Sequence, residues 1–278
     1  MLDRLFQQGP RPSAAIEPSL FISRQLEPVA RDIWEAALSR LEQSHARGED
    51  IALEGEQPRF LFVILEGWAQ KYRELPDGRR QIVGFCLPGQ VCDIALLTRT
   101  PYGHTVAAID RLRVAAIGPE DLDELIDRCP GLGRALCEAE AIAGAIQREW
   151  LVNVGVKSAH ERIAHLLCEL YMLQGGGAAR AEVDFPVTQA QIGEATGLTS
   201  VHVNRVMREL HDEYGVDFAR RRLRIANFDG LARAGSFAGN YLGAPRPVQV
   251  EFSGRIARSL ADRSGAAAAQ DSVPRSAD

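Results

Sequence analysis

The stretch VTQAQIGEATGLTSVHVNRVMREL, Val187 to Leu210, reads as two short helices joined by a tight turn. Thr188 can cap the first helix, with Gln191 three residues on as its reciprocal partner, and Thr199 can cap the second. Ile192, Leu198, Val203 and Val206 fall at the apolar positions where two helices and their support meet. Gly193 is small where the helices approach, and Gly197 supplies the turn; Thr196 is the one polar residue on that side. On the second helix Val203, Val206, Met207 and Leu210 share a face, which leaves Ser200, Val201, Asn204, Arg205 and Arg208 toward the other. Such a helix suits the major groove of double-stranded DNA, because Arg bonds guanine O6 and N7 together and Asn does the same on adenine. Arg205 is the first candidate for a base contact, and Thr188, Gln189, Thr199 and His202 at the helix starts complete the expected DNA-facing set. The plainer alternative is that Arg205 and Arg208 merely solvate the helix or pair with Glu209 and Asp212.

Downstream, Val216 and Phe218 precede Arg220, Arg221 and Arg222, and Leu223 and Ile225 follow in alternation. This predicts a hairpin with a basic tip, a wing beside the two helices whose arginines grip flanking phosphates.

Upstream, residues 158 to 173 carry Ile163, Leu166, Leu167 and Leu170 as one helical face, closed by Gly175, Gly176 and Gly177. From Pro130 a longer helix repeats Leu132, Leu136, Ala139, Ala143, Ile146, Trp150 and Asn153 at alternating spacings of four and three, a heptad seam that predicts a parallel dimer contact. A helix packed on its own domain is the competing reading. Between Gly48 and Gly118 short β-favouring runs, such as Phe60 to Leu65 and Gln81 to Phe85, are separated by Gly55, Gly67, Asp77-Gly78 and Pro88-Gly89, the pattern of a compact antiparallel roll or barrel. Helices are expected on either side, at 26 to 41 and 120 to 128. The expected organisation is α+β: a flexible arm at 1–25, a β-roll with flanking helices at 26–129, a dimerisation helix at 130–156, a winged helix-turn-helix at 157–242 and a disordered tail at 243–278.

The 278 residues carry a formal charge of -5, so net charge does not argue for a nucleic-acid partner; any basic face must come from clustering, as at Arg220 to Arg224. The five cysteines form no C-x-x-C pair, nothing near Met1 reads as a secretory leader, and no apolar run approaches the ~20 residues of a membrane span, so a cytoplasmic protein without membrane contact is expected. Motifs of the H-E-x-x-H, G-x-S-x-G and G-x-x-x-x-G-K types are missing, which argues against an enzyme. A ligand- or nucleotide-binding regulatory module whose C-terminal helices contact protein stays open as the alternative to a DNA reader.

The glycine spacing from Gly48 to Gly89, the string Arg148-Glu149-Trp150-Leu151 running into Ala159 to Leu170, and LTSVHVNR at Leu198 to Arg205 resemble the Crp/Fnr family of bacterial transcription factors. The resemblance implies a cyclic-nucleotide-binding-like roll, a long dimerisation helix and a C-terminal winged helix, with Ser200, Val201 and Arg205 facing bases and RNA polymerase as a partner. It also marks a departure. Where cyclic-nucleotide members hold Gly-Glu and, about ten residues later, Arg followed by Ser or Thr, this chain has Cys92-Asp93 and then His104-Thr105. Without the guanidinium a cyclic phosphate loses its bidentate partner, so cyclic AMP is not expected to bind. These four residues remain the effector-site candidates, with Cys92 read as a structural thiol. No cysteine precedes Cys86, which argues against the iron–sulfur cluster of oxygen-sensing members, and no metal or cofactor is expected.

Overall fold

Glycine-punctuated short runs fold as antiparallel strands because each turn places a residue in the left-handed region and each strand has a face to bury. The computed structural model describes residues 21–176 and 182–243. Strands β1 (Glu42–His45), β2 (Asp50–Ala52), β3 (Leu61–Glu66), β4 (Ala69–Glu74), β5 (Arg80–Cys86), β6 (Thr105–Ala108) and β7 (Leu112–Ile117) form two antiparallel sheets, ordered β1-β7-β3 and β2-β6-β4-β5. At Gly67, between β3 and β4, φ is +79° and an added Cβ would lie 2.3 Å from the Arg111 carbonyl oxygen and 2.8 Å from Asp110 Oδ1, so only glycine lets these two corners meet. Helices α1 (Phe21–Gln25), α2 (Pro28–Arg40), α3 (Ala95–Thr98) and α4 (Pro119–Arg128) flank the sheets.

Residues 21–25 depart from the expected arm. They form a helical turn whose Ile22 is buried in one core with Leu26, Trp34, Leu61, Ile117 and Leu136. Residues 1–20 and the expected tail beyond Gly243 lie outside the described residues.

Helix α5 (Leu132–Val156) runs 25 residues, about 37 Å at 1.5 Å per residue. Four residues of its heptad repeat, Leu132, Leu136, Trp150 and Asn153, are buried against this chain, and Ala139, Ala143 and Ile146 are half-buried. Leu132 and Leu136 are fully buried in the core just described; Ala139, Ala143, Ile146 and Trp150 line a cavity beneath the roll, and Asn153 is buried, donating to the Arg162 carbonyl at 3.2 Å. The two ends of the expected dimer seam are thus covered by this chain. The seam's exposed counterpart lies five positions on, at Cys137, Ala141, Arg148, Leu151 and Gly155, roughly 140° around the helix at 100° per residue. Leu151 on this side is 75% exposed.

After α5 come α6 (Ala159–Leu173), opened by a reciprocal capping box between Ser158 and Glu161, then β8 (Glu182–Asp184), α7 (Gln189–Thr196), α8 (Ser200–Tyr214), β9 (Val216–Ala219), β10 (Arg222–Ile225) and α9 (Phe228–Ala234). The wing is a three-stranded sheet ordered β8-β10-β9, so β8 supplies an edge beyond the expected hairpin. Ala219 pairs with Arg222 across a two-residue turn in which Arg220 (φ 52°) and Arg221 (φ 63°) are both left-handed. That is the geometry of a type I′ turn.

A shared core ties the halves of the chain together. Trp68, Tyr72, Ile82 and Leu87 of the roll share one apolar core with Phe185, Val203 and Leu210, and Trp68 meets Phe185 edge-on at 6.0 Å. Within α6, buried Glu169 and His165 anchor a polar chain with a definite direction. Trp150 Nε1 and the Tyr241 hydroxyl donate to Glu169 Oε1 and Oε2, each at 2.7 Å. Having given its proton, Tyr241 accepts from His165 Nε2 at 2.8 Å, which leaves Nδ1 to accept from Lys157 Nζ at 2.7 Å. Lys157 also donates to the Gly235 carbonyl at 2.8 Å. Burial pushes the Glu169 carboxyl up to about 7, and burial together with the Lys157 charge pushes His165 down to about 4.

Candidate DNA interface and roll site

The interface begins with the caps. Thr188 Oγ1 accepts from Gln191 N at 3.2 Å while Gln191 Oε1 accepts from Thr188 N at 2.8 Å, which satisfies two otherwise orphaned groups at the start of α7. Gly193 lets α7 approach the turn: a Cβ there would lie 2.7 Å from the Leu198 carbonyl oxygen. Gly197, at φ +68°, then reverses the chain. Buried Thr196 is satisfied by donating to the Ile192 carbonyl at 2.7 Å. Thr199 caps α8 by accepting from His202 N at 3.4 Å.

Val203, Val206, Met207 and Leu210 bury one face of α8. Ser200, Val201, His202, Asn204, Arg205 and Arg208 are all exposed on the rest, together with Thr199, while Thr188 and Gln189 are half-buried. Val201 is 80% exposed, an apolar group set in solvent where a thymine methyl could cover it. Asn204 Nδ2 donates to Gln189 Oε1 at 3.2 Å, so α7 and α8 position one another's polar side chains. Arg208 Nε donates to the Asn204 carbonyl at 3.4 Å, turning it back along the helix. The Arg205 guanidinium stands 3.7 Å from Glu209 at 61% exposure. A surface pair one helical turn apart is worth ~0.3–0.5 kcal/mol, against ~1–3 kcal/mol for a bidentate contact to guanine, so the pair does not withhold Arg205 from DNA.

At the wing, Arg222 is held by Asp184 at 2.5 Å and Glu182 at 3.6 Å, and Arg221 by Asp110 of the roll at 2.5 Å. Among the described residues no ion pair is formed by Arg220 or Arg224. The three tip arginines are thus not equivalent. Sequence spacing cannot reveal this, since Arg221 and Asp110 stand 111 positions apart.

In the roll, Cys92, Asp93 and His104 come together, and two further residues join them, Lys71 and Cys86. Asp93 Oδ1 accepts from Ala95 N at 2.5 Å just before α3, and its Oδ2 lies 3.5 Å from His104 Nε2. Burial, then the charge of Lys71, pushes His104 down to about 4, so a neutral imidazole stands where the resemblance places a phosphate-binding Arg. Its buried Nε2 makes no hydrogen bond among the described residues. Burial opposes the charge on half-buried Lys71, but Cys86, Cys92, Asp93 and Glu140 together outweigh it and raise its pKa. Cys92 is buried and its thiol pushed well up, first by the Cys86 thiol and then by burial, so it is not a ready thiolate. Thr105 is committed elsewhere: its hydroxyl accepts from Glu54 N at 3.1 Å. The adjoining cavity beneath β5 and α5 holds about 100 Å³, well under the ~300–1,000 Å³ of pockets for drug-sized ligands. Nothing in the sequence singles out Lys71, because one Lys in a strand looks like any solvated Lys.

Two family descriptions match the two halves: a cyclic nucleotide-binding domain over residues 42–129 and a Crp-like helix-turn-helix domain over residues 161–234. The nitrogen fixation regulation protein FixK of Bradyrhizobium diazoefficiens is 31% identical over 167 residues, 59% of this chain and 68% of that protein. The chain belongs to the Crp/Fnr family. It is a DNA-binding transcription regulator, and that family is one of regulators, not enzymes. A second Crp/Fnr relative, the transcriptional activator protein FnrL of Cereibacter sphaeroides, is 27% identical over 62% of this chain and 73% of its own length. Among solved structures, FixK2 from Bradyrhizobium japonicum aligns with a TM-score of 0.61 and 26% identity, covering 69% of this chain and 96% of that one. The roll, long helix and winged helix described above are accordingly the fold of this family. Among the described residues no helix is long and apolar enough to cross a membrane.

Proposed function

We propose that this regulator acts in the cytoplasm as a homodimer that reads a two-fold symmetric operator, with Arg205 as the main base contact and the two α8 helices about one turn of DNA apart. The observation that carries the reading is the exposed face of α8, where Ser200, Val201, Asn204 and Arg205 stand clear of the chain's own core. Selection from random duplex DNA followed by fluorescence-anisotropy titration tests it. A pseudo-palindromic site bound in a salt-sensitive way is the expected result, and binding indifferent to sequence would sink the proposal.

The exposed side of α5 is the surface proposed to join the protomers, in place of the partly buried heptad. Leu151→Glu is therefore expected to shift the protein to monomer in sedimentation velocity with its thermal unfolding little changed. A dimer that survives this substitution would place the contact elsewhere. RNA polymerase is the proposed downstream partner, by analogy with relatives named as activators.

For the roll, the reading is an altered effector site that does not take cyclic AMP. Neutral His104 offers no paired donors to a phosphate, and the cavity beside Lys71 is small. Isothermal calorimetry with cyclic AMP is expected to give no saturable heat up to millimolar ligand. Micromolar binding would restore the usual family ligand. The alternative of a protein-contacting module draws no support from α8, whose exposed face is mainly polar and basic.

A further inference from the structure

Of the three arginines at the wing tip, Arg221 is the one whose partner comes from the other half of the chain. Asp110 sits on the corner between β6 and β7, 18% exposed, and its two oxygens divide their work: Oδ1 accepts from Trp68 N at 2.9 Å and Oδ2 binds Arg221 at 2.5 Å. The corner is rigid, because the close approach at Gly67 holds it and Trp68 is buried against Phe185. Beside it, the capping Gln191 of α7 donates through Nε2 to Gln70 Oε1 at 2.8 Å, and Gln81 Nε2 donates to the Ala195 carbonyl at 3.3 Å. The roll thus touches the reading domain at the wing tip, at the N-terminal turn of α7 and at its C-terminal end.

We infer that the Asp110–Arg221 pair is an autoinhibitory latch: the roll's carboxylate occupies the wing guanidinium in competition with a DNA phosphate, and DNA binding must open it. The chemistry is one of exchange, since a guanidinium that forks onto a carboxylate forks equally onto a phosphate. Arg221 is 58% exposed, so its side chain can turn from one to the other without unburying a core. Gln70, Gln81 and Trp68 hold the reading domain against the roll, with the wing tip within reach of Asp110, and any event that moves the roll's corner releases the arginine. The inference rests on the proposed DNA reading, and its test has a part that needs no DNA.

Asp110→Asn removes the charge while keeping an acceptor for Trp68 N. In the full-length protein this variant is expected to bind non-operator duplex three- to tenfold more tightly at low salt. The salt dependence should steepen by about one phosphate contact per subunit, close to 1.8 in the log–log slope for a dimer. The gain should vanish when Arg221→Ala is added. Without DNA, hydrogen exchange at the wing turn, 219–223, should quicken in Asp110→Asn while exchange in the β-roll stays as in the wild type. Unchanged exchange at the turn overturns the latch whatever the DNA result. Quicker exchange with no gain in DNA affinity overturns the competition with phosphate, and if the wild type binds no duplex it is the DNA reading that fails. Should Asp110→Asn fold poorly, Arg221→Gln, which leaves the roll untouched, must reproduce the quickened exchange.

Discussion

Replacing Arg205 with Ala is expected to reduce the ratio of operator to non-operator affinity by at least about thirtyfold while leaving non-operator binding within a fewfold of wild type. The size follows from the count of contacts. A bidentate bond to guanine discriminates by ~1–3 kcal/mol, and a symmetric dimer makes it twice, so ~2–6 kcal/mol of selectivity is at stake. The side chain is free to be used: it is exposed, and among the described residues its only ion pair is the weak one with Glu209. Arg221→Ala is expected to behave differently, weakening every sequence alike and flattening the salt slope by about one phosphate contact per subunit. Anisotropy titrations of both variants against operator and scrambled duplexes over a range of salt separate the two roles. Equal loss of selectivity from both substitutions would refute the division.

The second large effect is one of pH and stability. Glu169 is buried on every side, and its carboxyl is raised from 4.5 to about 7, mainly by burial, although the Tyr241 and Trp150 donors and the Lys157 charge pull it back. A carboxyl raised in the native state holds its proton longer there than in the unfolded chain. Its contribution is therefore fully present below pH 4.5 and is lost as pH rises toward 7. At ~1.4 kcal/mol per unit this loss is about 3 kcal/mol. His165 works in the opposite sense. Its pKa is lowered to about 4, so its contribution is present above 6.5 and is lost as pH falls toward 4. Between pH 4.5 and 6.5 the two slopes oppose one another in the wild type. Glu169→Gln removes one of them. Its carboxamide forces the Tyr241 and His165 hydrogen bonds to reverse, a cost that does not vary with pH, but it cannot ionise. Urea midpoints measured at half-unit steps from pH 4.5 to 7.5 are expected to show the variant gaining about 3 kcal/mol on the wild type across that range. Parallel curves would mean that Glu169 titrates normally.

The reading domain was legible in the amino-acid sequence because its determinants are local. Thr188 and Gln191 recognise each other across three residues, Gly197 marks its own turn, and the apolar residues of α8 repeat within one helix. The roll's turns announced themselves through glycine for the same reason. The long helix was harder. Its apolar residues form one stripe and its small residues nearly surround it, so periodicity shows that a stripe exists but not what covers it. The answer lay in Ile22, Trp34 and the underside of β5, all distant in sequence. A five-residue helix such as α1 is too short to show any period. Glu169 and His165, two ionisable groups inside the run ERIAHLLCELYML, did carry a signal, since a helix face that apolar rarely admits both without a partner. Lys71 and the Asp110–Arg221 pair carried none, because nothing in a strand or a corner says which charge will arrive from the other half of the chain.

The wing tip has one more consequence, for anyone who would make this protein sturdier. Two-residue hairpins of this geometry ordinarily carry Asn-Gly, and a side chain forced into the left-handed region costs ~1–3 kcal/mol. Arg220 and Arg221 both stand there. A search for thermostabilising substitutions would find this turn early and replace both, and the hairpin would improve. It would also lose the two guanidinium groups at its apex, so at this turn heat resistance and grip on nucleic acid are selected in opposite directions.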